Sequence, residues 1–75
     1  MTKRQKILNM FNAADWLPHL DGKRCKIISD KDFEAVGLYG FIENHSQHCD
    51  VIYARRIIQS LGHRVLIGTC FYVYE

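Results

Sequence analysis

Arg64-Val65-Leu66-Ile67-Gly68-Thr69-Cys70-Phe71-Tyr72-Val73-Tyr74 is the stretch that decides the fold. Two runs rich in β-branched and aromatic residues flank Gly68-Thr69. That spacing predicts a β-hairpin with strands Arg64–Ile67 and Cys70–Tyr74 and a two-residue type II′ turn. Alternation along the second run places either Phe71 and Val73 or Tyr72 and Tyr74 against a core.

Upstream, Asp50 can cap a helix from Val51 to Leu61 that Gly62 would stop. Val51, Ala54, Ile57, Ile58 and Leu61 fall on one stripe of it. Ile52, Arg55, Arg56, Gln59 and Ser60 lie opposite. Further back, Ser29 followed by Asp32 reads as a capping box for a short helix through Phe33 and Val36. Arg24–Ile28 reads as a strand, and His19-Leu20-Asp21-Gly22 as a turn. Thr2 caps a first helix over Lys3–Leu17, with Ile7, Leu8, Phe11, Ala14 and Leu17 at helical spacing and Pro18 as its end. Residues 37–43 stay open: Gly37 and Gly40 weaken a helix, while Tyr39, Phe41 and Ile42 favour a strand.

These elements predict one small α+β domain with an N-terminal helix, a helix near 51–61 and a C-terminal hairpin over 64–74. Seventy-five residues suffice for one domain, and 48% hydrophobic content is enough to pack a core and argues against disorder. No stretch approaches 18 consecutive apolar residues, which excludes a membrane span, and no signal-peptide core follows the basic start. Cys25, Cys49 and Cys70 are an odd number without CxxC spacing, as expected of reduced thiols in the cytoplasm.

The net charge of +2 is unevenly placed. Residues 1–26 carry Lys3, Arg4, Lys6, Lys23, Arg24 and Lys26 against Asp15 and Asp21. Residues 27–50 are acidic, and Arg55, Arg56 and Arg64 follow. Such a layout suits one basic face. On the 51–61 helix, arginine can bond guanine bidentately, Gln59 can pair with adenine and Ile52 can touch a thymine methyl. Arg64 and Thr69 would meet backbone phosphate. The plainer reading is that Arg55 and Arg56 only solvate the outer face of a core helix.

Ala54-Arg55-Arg56-Ile57-Ile58-Gln59-Ser60-Leu61-Gly62-His63-Arg64-Val65, followed by a hairpin, resembles the recognition helix and wing of winged helix-turn-helix proteins, including small ones of phages. The order helix, strand, helix, helix, hairpin also fits that family. The resemblance implies a regulator of transcription that binds double-stranded DNA, with Arg55, Arg56, Gln59 and Ser60 toward the groove and Arg64 on the wing. A competing architecture pairs Gly22–Ile27 with Leu38–Ile42, giving an SH3-like barrel or a four-stranded antiparallel sheet with helices. A protein so built could be a phage- or plasmid-type inhibitor of a host complex. Tyr72 and Tyr74 would then bind the partner protein, and an exposed aromatic edge also suits a homodimer.

His45, His48 and Cys49 could begin a zinc site, yet HxxHC is not a standard spacing and no fourth ligand is near in sequence, so neither metal nor cofactor is expected. No GxSxG, phosphate loop, HExxH or paired carboxylates occur, and enzyme activity is not expected.

Overall fold

The computed structural model describes residues 1–39 and 49–75. Helix α1 spans Lys3–Ala13. Strand β1, Leu17–Pro18, leads through a short 3-10 turn, Leu20–Gly22, into β2, Arg24–Ile28. Helices α2, Asp30–Ala35, and α3, Cys49–Ser60, follow, and then β3, Arg64–Ile67, and β4, Phe71–Tyr74. The four strands form one antiparallel sheet in the order β1-β2-β4-β3.

Local chemistry accounts for each start and stop. The Thr2 hydroxyl accepts the Gln5 N–H at 3.1 Å, closing the first turn of α1. At α2 the Ser29 backbone N–H donates to the Asp32 carboxylate at 2.8 Å, and the reciprocal bond completes the capping box. Gly37, at φ +79°, ends α2. Its N–H reaches the Glu34 carbonyl and the Leu38 N–H reaches the Phe33 carbonyl, the paired bonds of a Schellman motif.

Three sequence expectations are corrected. First, α1 ends at Ala13, because Pro18 disfavours helical backbone at Leu17, which enters β1 instead. The turn after it is tight. Asp21 and Gly22 both take positive φ (60° and 73°), and the register of Leu17 with Cys25 and Pro18 with Arg24 leaves three residues, Leu20–Gly22, to turn the chain, so residues 17–25 form a second hairpin. Second, α3 begins at Cys49, which puts Asp50 inside its first turn rather than before it. Third, Ile67 is registered with Phe71, so three residues, Gly68–Cys70, join β3 to β4. Gly68 is not in the left-handed region, so the turn is not type II′ and Cys70 is not in the strand. Leu38 and Tyr39 lie in no strand, and the rest of the expected Leu38–Ile42 strand lies outside the described residues, as does residue 43. The four-stranded antiparallel sheet with helices of the alternative is present, with Leu17–Pro18 as the strand beside Arg24–Ile28.

The core lies on one side of the sheet. Ile7, Met10 and Phe11 of α1, Phe33 of α2, and Val51, Ala54, Ile57 and Ile58 of α3 pack with Ile28, Phe71 and Val73. Val65 and Ile67 lie against the same cluster. Leu61, expected in the apolar stripe, is 45% exposed past the end of α3. Strand alternation sends Leu17, Cys25, Ile27, Arg64, Leu66, Tyr72 and Tyr74 to the other face. No helix covers that face among the described residues.

Lys26 is the exception to the apolar core. It sits on the helix side of β2, is 4% exposed, and its ammonium donates to the Phe11 carbonyl at 2.6 Å. The ammonium also lies 4.1 Å from the centre of the Phe11 ring and 4.9 Å from that of Trp16. His63 fills the remaining side, 5.4 Å from both rings. A buried cation thus closes the C-terminal turn of α1, where orphan carbonyls and the helix dipole favour positive charge.

Candidate nucleic-acid interface

Helix α3 owes its orientation to its stripe of buried residues. With Val51, Ala54, Ile57 and Ile58 turned inward, helical geometry sends Ile52, Arg56 and Gln59 outward. Arg56 and Gln59 are exposed, and Arg55 lies half-buried at the flank. Ser60 is exposed, but its hydroxyl donates to the Ile57 carbonyl one turn back, so its proton is engaged within the helix.

The start of α1 runs beside the start of α3. Lys3 and Asp50 form an ion pair at 2.6 Å, and the second Asp50 oxygen accepts the Tyr39 N–H at 2.9 Å. This nearly buried carboxylate (3% exposed) therefore ties together α1, the segment that follows α2, and α3. Among the described residues, Lys3, Ile52, Tyr53 and Arg56 line a groove of about 540 Å³ on this side. It offers the Arg56 guanidinium, an aromatic ring and an apolar side chain, with the Lys3 ammonium at its edge already paired to Asp50. Those are groups that phosphate, base faces and base edges can each meet.

Arg64 lies elsewhere. Because Val65 and Ile67 face the core, Arg64 points to the opposite side of the sheet, where its guanidinium sits 5.9 Å from the Tyr74 ring. The structure thus brings Arg55, Arg56, Gln59 and Ser60 together on α3 and leaves Arg64 on the opposite side of the sheet from that helix. Tyr72 and Tyr74 are half-buried on that same open face, beside the exposed Ile27 and Leu66.

The charge pattern at the sheet's end is largely internal. Arg24 and Glu75 form an ion pair, and the Arg24 hydrogen bond holds the Glu75 carboxyl below the usual carboxylate range while raising the guanidinium's own pKa. Burial pushes the Cys25 thiol up and the Lys26 ammonium down.

Lys3 was read only as part of the basic N-terminus, and Tyr53 was not singled out from the sequence, although a helical wheel places it next to Arg56. The Lys26 cluster and the Asp50 tie left no sequence signal, since both join segments far apart in the chain. Cys25 and Cys70 are free thiols. His45 and His48 lie outside the described residues, among which no group of three His, Cys, Asp or Glu could hold a metal. None of the described helices is long and apolar enough to cross a membrane. No protein-family model matches the chain, and comparison with curated proteins and with solved structures gives no significant match.

Proposed function

We propose that this chain is a small DNA-binding regulatory protein that lays the outer face of α3 against duplex DNA. The observation that carries the reading is the outward cluster on that helix: Arg56 and Gln59 exposed, Arg55 at the flank, Lys3 and Tyr53 alongside. The element order supports it as well. Apart from the added strand β1, helix, strand, helix and helix precede a hairpin, and β2-β4-β3 pair antiparallel, in keeping with the winged-helix resemblance. Arg56 and Gln59 supply base-edge contacts, and Arg55 meets the backbone. Arg64 is left out of this contact set because it faces the other side of the sheet. The reading places the chain in the cytoplasm.

Fluorescence anisotropy with a labelled mixed-sequence duplex at low salt tests it. The Arg55→Ala/Arg56→Ala double variant is expected to bind about 100-fold more weakly or worse, at roughly 1–3 kcal/mol per arginine contact. Tyr72→Glu should bind as the wild type does. Equal affinity for the double variant and the wild type would overturn the assignment.

A second reading is favoured by a different observation. Leu17, Ile27 and Leu66 are 44–56% exposed on the open sheet face, together with Tyr72 and Tyr74. Exposed apolar clusters of this kind mark interaction surfaces. Here the protein would act as an inhibitor docking on a host protein complex through this face. Tyr72→Glu and Tyr74→Glu would then abolish capture of that complex, and the arginine variants would not.

A further inference from the structure

We propose that the chain pairs with a second copy of itself along the outer edge of β3. This inference does not rest on DNA binding. The sheet ends at β3, and no described strand pairs with its outer side. Arg64–Ile67 therefore presents a row of backbone donors and acceptors to solvent, a template for another strand. Natural edges are commonly guarded by proline or by central charges. This one has no proline, and its one charge, Arg64, stands at the strand's beginning beside its own Tyr74.

Side-chain pattern selects both the partner and the register. Val65 and Ile67 touch the core yet stay half-buried, and Leu66 on the opposite face is 56% exposed. An antiparallel twofold through Leu66 sets it against the partner's Leu66, and Val65 against the partner's Ile67. Both faces of the edge are then covered at once. Within one chain Ile27, Tyr72 and Leu66 already lie in direct register across three strands. The twofold continues that row through the partner's Leu66 and the partner's Tyr72, making one apolar band across the joined sheets. Arg64 falls opposite the partner's Gly68, so the like charges are not juxtaposed. A strand with a charge at its middle would not be self-complementary in this way.

A four-residue strand pair with these side chains is a small interface, below the roughly 1,200 Å² typical of stable complexes, so the association is concentration-dependent. Sedimentation velocity on the full chain, from low to high micromolar, is the test. The wild type is expected to rise from the 8.8 kDa monomer toward twice that mass. Leu66→Lys should stay monomeric, because each ammonium would face the partner's. Leu66 is largely exposed, so the variant should keep its circular dichroism spectrum. Ile27→Lys, on the same face but two strands inward, should still dimerise. Hydrogen exchange at the β3 amides should slow as wild-type concentration rises. A wild type that is monomeric throughout would overturn the proposal and leave the edge to an extended segment of another protein. A Leu66→Lys variant that dimerises normally, or β3 amides insensitive to concentration, would overturn it too.

Discussion

Lys26→Ala is expected to destabilise the fold by about 3 kcal/mol, combining lost stem packing, lost cation–π contact and an orphaned carbonyl. At this chain length that lowers the melting temperature by roughly 12–24 °C. The carbonyl is that of Phe11, for which the Lys26 ammonium is the donor at 2.6 Å. The rings of Phe11 and Trp16 would also lose the charge that lies over both. Lys26→Met keeps the stem and removes the cost of burying a cation, so it should recover a large part of the loss. The two variants divide packing from charge.

A pH dependence follows with a definite sign. Burial lowers the Lys26 pKa in the folded chain, so the unfolded chain holds this proton more tightly. The unfavourable contribution is fully present below the folded pKa. It disappears as pH rises from that value toward the ordinary lysine pKa. The wild type should therefore gain stability relative to Lys26→Met over that alkaline window. Urea midpoints of the two proteins, compared at successive pH values, measure this.

Phe71→Ala is expected to cost about 3–5 kcal/mol, as for large-to-small changes at buried aromatic positions. Phe71 is wholly buried, edge-on to Phe33 with ring centres 5.7 Å apart, and in register with Ile28 and Ile67. It joins α2 to the middle of the sheet. A domain of this size has roughly 4–11 kcal/mol in all, by the usual stability per residue. The variant should thus lose roughly a quarter to all of that stability, measured as a lowered urea midpoint. Tyr72→Ala, one residue away on the open face, should cost about 1 kcal/mol.

The contrast between Phe71 and Tyr72 was only half legible in the sequence. Alternation required one pair inside and one outside. What chose Phe71 and Val73 was long-range: the registers with Ile28 and Lys26 on one side and with Ile67 and Val65 on the other. Local signals served well where the chemistry is local. Thr2, the Ser29–Asp32 box and the stripe on α3 each declare themselves within a few residues.

Local pattern misled at Ala14 and Leu17, whose helical spacing extends α1 on paper. Leu17 precedes proline, and Asp21-Gly22 carries the positive-φ pair of a tight hairpin, so the chain turns back. The turn at His19–Gly22 was expected, but its Asp-Gly was not read as closing a hairpin that pairs Leu17–Pro18 with Arg24–Cys25. At the other hairpin the glycine was overread, since Gly68 takes no left-handed conformation and the loop is one residue longer.

Of the candidate site, Arg55, Arg56 and Gln59 could be read from the helical wheel. Arg64 could not be placed that way, because its direction depends on which face of β3 meets the core. Likewise Asp50 looked like a cap, and its tie to Lys3 and Tyr39 needed the folded chain.

The most direct test of the DNA-binding account is the dependence of duplex affinity on salt concentration. Neutralising phosphates releases counterions, so the logarithm of the wild-type binding constant should fall linearly with the logarithm of salt, at about −0.9 per phosphate contact. Removing Arg55 and Arg56 together should weaken binding and flatten the slope by up to about 1.8, if both meet phosphate, and by less where Arg56 spends its contact on a base edge. A wild type that fails to bind duplex DNA even at low salt, or whose affinity ignores salt, would contradict the account.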